Sequence, residues 1–342
     1  MRQANRRWLL VAVIVVMAAI LVGCAKPAAS TGQPSQAGQT AGAAASGAGT
    51  IKIGIIQIVE HPALDAARKG FTDVMKEQGY GDKVTYDYQN AQGDMPTAQT
   101  IAQKFVADKV NLILAIATPT AKAAAKATSD IPILITAVTD PVSAGLVKSL
   151  DQPGTNVTGT TDMNPVEQQI GLIKQIVPGA KKVGIIYNAG EDNSNVQVKL
   201  AKDAAQKLGM AVVEATVANS NDVAQAAQSL VGRVDAIYIP TDNTVVSAAA
   251  AVVKVAEKAK LPIVAGERSV VDAGGIATIG IDYYKLGRQT GEMAIRVLKG
   301  EKPASIPVEG QKEFAVVVNA KEAKAIGLTL PPSILEKAEV LQ

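Results

Sequence analysis

The sequence predicts an α/β chain of two similar lobes, each a doubly wound parallel sheet, joined by a three-strand hinge. Three observations predict it. From Ile51 onward, short β-branched runs alternate with amphipathic stretches rich in Ala, Lys and Gln, the pattern of a parallel sheet covered by helices. The pattern occurs twice, at a spacing close to 130 residues: Lys52-Ile53-Gly54-Ile55-Ile56 returns as Lys182-Val183-Gly184-Ile185-Ile186. Surplus elements then follow the second set: a strand over 276–281, a helix over 284–298, a strand over 314–318 and a helix over 320–326. They are most economically used to cross between lobes, giving connections near residues 160, 282 and 312. The expected lobes are 51–159 with 282–312, and 160–281 with 313–342.

The chain opens with Arg2, Arg6 and Arg7, then an unbroken apolar run over 8–22, then Gly23-Cys24. A charged start, a short apolar run and a small residue before the cut describe a signal peptide over 1–23. Fifteen apolar residues fall short of the roughly 20 that span a bilayer as a helix. Leu21-Val22-Gly23-Cys24 looks like a lipobox, so Cys24 is expected to carry a lipid. Residues 24–50 are nearly all Ala, Gly, Ser, Gln, Thr and Pro and read as a flexible tether, spanning on the order of 25–30 Å as a coil.

In the first lobe the opening strand leads through a polar loop to a helix closed by Gly79; in the second the matching helix closes at Gly209. Strands over 84–88 and 211–216 follow, then loops with capping residues (Asp94; Ser220 and Asn221) and a helix each. Val110-Asn111-Leu112-Ile113-Leu114 then matches Val234-Asp235-Ala236-Ile237-Tyr238, and Ile131-Pro132-Ile133-Leu134 matches Leu261-Pro262-Ile263-Val264.

Composition excludes several chemistries. The 342 residues hold 34 Lys+Arg, 31 Asp+Glu, one His, one Cys and one Trp. One His and one Cys cannot build a His/Cys zinc site, and a nucleophilic triad would have to run through His61. The surplus of +3 is the three N-terminal arginines, so the chain after residue 23 is formally neutral and nucleic acid is not an expected partner. No nucleophile elbow, Walker or GxGxxG sequence follows a strand, so neither an enzyme nor a nucleotide cofactor is expected.

Ligands of open parallel sheets sit beyond the carboxyl ends of the strands, where helix N-termini offer free N–H groups. Those ends hold Gln57, Glu60 and His61; Thr118, Pro119 and Thr120; and Thr136, Thr139 and Asp140 in the first lobe. In the second they hold Asn193 and Ser194; Thr241, Asp242 and Asn243; and Glu267, with Asp282 and Tyr283 at the hinge. Thr118, Asp140, Asn193 and Asn243 also have a plain reading as helix caps. Hydroxyls and helix N-termini suit a carboxylate, and the acids Asp242, Glu267 and Asp282 suit an ammonium; together these are the ends of an α-amino acid. Only ten aromatics follow residue 23, which argues against a sugar stacked on rings.

Several stretches resemble the ABC-transporter substrate-binding lipoproteins of the tryptophan/tyrosine type: Gly54-Ile55-Ile56-Gln57 with Glu60-His61-Pro62-Ala63-Leu64-Asp65, Ala117-Thr118-Pro119-Thr120-Ala121, Thr139-Asp140-Pro141-Val142, Gly159-Thr160-Thr161-Asp162, Pro240-Thr241-Asp242-Asn243-Thr244 and Gly280-Ile281-Asp282-Tyr283-Tyr284. The resemblance implies a type I periplasmic-binding-protein fold, an aromatic amino acid captured by hinge closure, delivery to a permease with its ATPase, and a place at the outer face of the cell membrane. A sensor feeding a membrane receptor, or a binder of branched-chain amino acids or another small polar solute, is the alternative.

Overall fold

The computed structural model describes residues 50–342; the signal segment, Cys24 and the tether through residue 49 lie outside the described residues. The first sheet holds β1 (Ile51–Gln57), β2 (Val84–Asn90), β3 (Leu112–Ile116), β4 (Ile133–Val138) and β5 (Val157–Thr161), all parallel, in the order β5-β4-β3-β1-β2. Helices α1 (Pro62–Met75), α2 (Met95–Ala107) and α3 (Thr118–Ala127) connect them. Both faces are covered, so β3 and β4 are buried at every residue, whereas edge strand β2 exposes Thr85 and Tyr86.

The second lobe repeats this arrangement. Its sheet holds β6 (Lys182–Asn188), β7 (Ala211–Val217), β8 (Ala236–Ile239), β9 (Ile263–Ala265) and β10 (Ala277–Gly280), in the order β10-β9-β8-β6-β7. Its helices are α4 (Val166–Ile176), α5 (Asp192–Lys207), α6 (Val223–Leu230), α7 (Asn243–Ser247), α8 (Ala249–Ala259) and α9 (Arg268–Asp272). The repeat reaches single residues. A Cβ on Gly54 of β1 would lie 2.6 Å from the Phe105 ring, and one on Gly184 of β6 would lie 2.6 Å from the Leu230 side chain. Each repeated glycine therefore lets the next helix but one settle on the lobe's first strand.

The surplus elements tie the lobes together. After β10 the chain returns to the first lobe as α10 (Tyr283–Leu298), which lies against α1. That contact is backbone to backbone: a Cβ on Gly287 would sit 1.8 Å from the Ala67 carbonyl oxygen, and one on Gly70 would sit 2.1 Å from that of Tyr284. Leu286, Met293 and Ala294 of α10 join the first lobe's core. β11 (Glu309–Gly310) then runs beside β5, and the chain crosses again to β12 (Ala315–Asn319) and β13 (Ala338–Leu341) of the second sheet. The sheets are parallel as expected except at one pair: β10 and β12 are antiparallel, with Gly280 opposite Ala315. β10 leaves the second lobe at the hinge and β12 re-enters it there, so neighbouring strands must run in opposite directions.

Candidate functional site

The carboxyl ends of both sheets converge on a small, tightly lined cavity between the lobes. The first lobe contributes His61, which precedes α1, then Leu64 and Ala137. Ala137 lies at the register shift between β4 and β5 and has φ 57°, so the strand kinks where it meets the cavity. The crossings contribute Asp162 and Tyr283. The second lobe contributes Asn193, Thr241, Asp242, Asn243, Val246 and Glu267.

Two buried carboxylates dominate its electrostatics. Asp162 accepts hydrogen bonds from Thr139 Oγ1 (3.0 Å) and the Tyr283 hydroxyl (2.7 Å), yet burial outweighs them and raises its pKa. Burial likewise pushes Glu267 up to about 7, with the Asp162 charge adding to the shift; its one side-chain donor is Ser269 Oγ. Neither acid has a basic group as a partner among the described residues. The loop carrying Glu267 is anchored from below, because Gln169 donates from Nε2 to the carbonyls of Gly266 (3.3 Å) and Ile279 (2.6 Å) while accepting from the Tyr238 hydroxyl.

The second-lobe wall is held by two further acids. Asp242 accepts from the Asn188 amide (2.6 Å), Ser194 Oγ (2.6 Å) and the Val245 amide (2.8 Å), binding β6, α5 and α7 together. Burial and the Glu191 charge raise its pKa. Glu191 accepts from Asn243 Nδ2 (2.5 Å), Thr244 Oγ1 (2.8 Å), the Thr244 amide (3.0 Å) and Asn193 Nδ2 (3.2 Å). Both are engaged by protein donors. Asp242 therefore ties the wall together while still lining the cavity.

His61 is buried with neither ring nitrogen in a hydrogen bond, and burial pushes its pKa down to about 4. Asn243 and Asp65 oppose that shift, Asn243 without a well-formed hydrogen bond. Thr118 Oγ1 at the start of α3 and Asn193 Oδ1 are also buried without partners. The mouth of the cleft runs past Pro119, Asn188 and Thr244, and the ion pair of Lys122 on α3 with Asp192 on α5 bridges the lobes.

Other expected site residues lie elsewhere. Asp282 is exposed, caps α10 through the Lys285 amide (3.1 Å) and faces a groove outside the cavity, although the next residue, Tyr283, lines the cavity. Asp140 caps its own turn at the amides of Val142 and Ser143. Thr120 Oγ1 donates back to the carbonyls of Ile116 and Ala117, and Thr136 Oγ1 accepts from Thr160 inside the lobe. Gln57 is fully buried but does not line the cavity, donating to Asp65 and the Val59 carbonyl, with Oε1 unpartnered. Sequence reasoning missed Asp162 and Glu191 as site groups, while Tyr283, which it placed at the hinge end of the site, does line the cavity. Asp162 ends β5 at the first crossing, so the strand-end rule that selected the others also applies to it.

A family model described as ABC transporter substrate binding protein matches residues 52–341. The chain belongs to this family. Its members are solute-binding components of transporters, not enzymes, and work outside the cytoplasm. No helix among the described residues is long and apolar enough to cross a membrane. The chain is 51% identical over 278 residues to the Tyrosine-binding protein of Clostridioides difficile, covering 81% of each. It is similar to an ABC domain from Streptococcus pneumonia in complex with L-Trp, at 41% identity and a TM-score of 0.83, covering 86% of this chain and all of that one. The ligand-free, open structure of CD0873 from Clostridium difficile is 48% identical, with 85% and 99% covered, yet its TM-score is only 0.65. The L-Trp complex thus superposes better than the ligand-free, open structure despite its lower identity. The fold is the type I periplasmic-binding-protein architecture.

Proposed function

We propose that this substrate-binding protein captures a free amino acid with an aromatic side chain, closes its lobes over it, and delivers it to an ABC permease driven by its ATPase. A lipid on Cys24 holds it at the outer face of the membrane on the tether of residues 24–50. The observation that carries the reading is the pair Asp162 and Glu267: two acids buried in one small cavity, with no basic partner among the described residues. Buried charge needs a partner, and an α-ammonium supplies one charge and three donors. The first N–H groups of α3 and the free Thr118 hydroxyl suit the ligand's carboxylate. Leu64, Ala137 and Val246 offer the apolar walls between which a ring can lie. The names of the relatives support the same ligand class.

Calorimetry of the chain lacking residues 1–23 against the twenty amino acids tests the reading. Heat with tyrosine, tryptophan or phenylalanine is expected, and no heat with any amino acid refutes it. For the anchor, Cys24→Ser is expected to move the protein from the membrane to the soluble fraction, and unchanged partition refutes lipidation.

A further inference from the structure

His61 and Asn193 face the same cavity from opposite lobes, and both carry polar atoms without partners. His61 precedes α1 in the N-cap position but makes no side-chain cap bond, so its ring is not engaged by its own helix. Asn193 donates from Nδ2 to the Thr241 carbonyl (3.0 Å) and to Glu191 (3.2 Å), which orients the amide and leaves Oδ1 unmatched. Of the neighbouring polar groups of this wall, Asp242 is already hydrogen-bonded within the second lobe, while Asn243 donates from Nδ2 to Glu191 and its side chain also acts on His61. Two buried, unmatched groups from two lobes imply one ligand group that reaches both when the lobes close.

We propose that His61 and Asn193 read a hydrogen-bonding group at the tip of the ligand's side chain, a phenol hydroxyl best of all, and so make the site select tyrosine over phenylalanine. This rests on the amino-acid reading above. Asp162 and Glu267 are the groups that require the ammonium, which leaves His61 and Asn193 for another part of the ligand. A neutral imidazole, the form that burial favours here, has one donor and one acceptor. A phenol hydroxyl donates to Asn193 Oδ1 and accepts from the imidazole N–H, satisfying both lobes at once. An indole N–H can only donate, and a phenyl ring satisfies neither. The ranking is therefore tyrosine, then tryptophan, then phenylalanine.

The experiment measures tyrosine, tryptophan and phenylalanine affinities on the unsubstituted protein, on His61→Phe and on Asn193→Leu, with a melting curve for each. The unsubstituted protein is expected to prefer tyrosine over phenylalanine by roughly 10- to 100-fold. Each substitution is expected to lower tyrosine affinity about tenfold or more while leaving phenylalanine affinity the same or higher. Equal losses for both ligands, or an unchanged ratio, overturn the assignment. If a variant fails to fold, the ligand comparison on the unsubstituted protein still decides: equal affinity for tyrosine and phenylalanine overturns it. Binding of no amino acid at all is a separate result that overturns the amino-acid reading itself.

Discussion

Gly287→Ala and Gly171→Ala make the same chemical change in two helices, and the structure gives them opposite signs. The added methyl at Gly287 would meet the Ala67 carbonyl oxygen at 1.8 Å, its carbon at 2.6 Å and its Cα at 2.8 Å. All three atoms are backbone, so no side chain can swing aside. To restore ordinary contact, α10 must move from α1 by about 1.5 Å, opening the packing of Leu286 and Ala294 in the first lobe's core. Overpacking of this kind costs about 1–3 kcal/mol where side chains can adjust, and a rigid backbone places this site at or above the upper end, roughly 3 kcal/mol or more. At Gly171 in α4 the methyl meets nothing within 4 Å, so Ala should gain about 0.5–1 kcal/mol from helix propensity. Urea unfolding followed by circular dichroism measures both. A Gly287→Ala protein within about 1 kcal/mol of the parent, or a Gly171→Ala protein destabilised by more than that, would refute the close-packing account. Because α10 begins at Tyr283, ligand affinity should fall with Gly287→Ala and hold with Gly171→Ala.

Glu267→Gln should lower amino-acid affinity by about 1.5–3 kcal/mol with little loss of stability, since its partner is the ligand; calorimetry and melting curves together check this. Asp242→Ala should instead destabilise the second lobe by about 2–3 kcal/mol, because it frees the donors of Asn188, Ser194 and Val245. Lys122→Ala removes an exposed pair across the cleft mouth, so stopped-flow release of ligand should speed up less than about fivefold, with the difference vanishing at 1 M salt.

The duplication was legible because it is written in local terms: β-branched runs, cap residues and the paired glycines Gly54 and Gly184 recur in register. The strand-end rule brought His61, Asn193, Thr241, Asp242, Asn243 and Glu267 to one cavity. What it could not separate was a carboxylate free for a ligand from one engaged by protein donors. Asp242 and Glu267 look alike in sequence, but Asp242 receives amides from β6 and α7, contacts that depend on how those elements pack. Asp282 failed for a related reason: the residue after a hinge strand points wherever the crossing turns, which local pattern does not encode. The antiparallel β10–β12 pair follows from the number of crossings, a property of the whole chain.

Closure sets two buried groups against each other. Burial pushes the Glu267 carboxyl up to about 7, so burying it more deeply favours its protonated form and is penalised as pH rises toward 7. Burial pushes the His61 imidazole down to about 4, so burying it more deeply favours its neutral form and is penalised as pH falls below the ordinary histidine range. Their slopes oppose, with Asp162 adding to the side of Glu267. A fluorophore pair placed on the outer surfaces of the two lobes reads the ligand-free equilibrium. Between pH 5 and 8, Glu267→Gln should close more as pH rises, because more of His61 is then already neutral. His61→Phe should open more, and the unsubstituted protein should fall between them. Parallel slopes in the two variants would show that these groups do not govern closure. The ligand's ammonium acts on the same balance, giving Glu267 and Asp162 the charge they lack and drawing the lobes shut at the pH where closure alone is most penalised by the carboxylates.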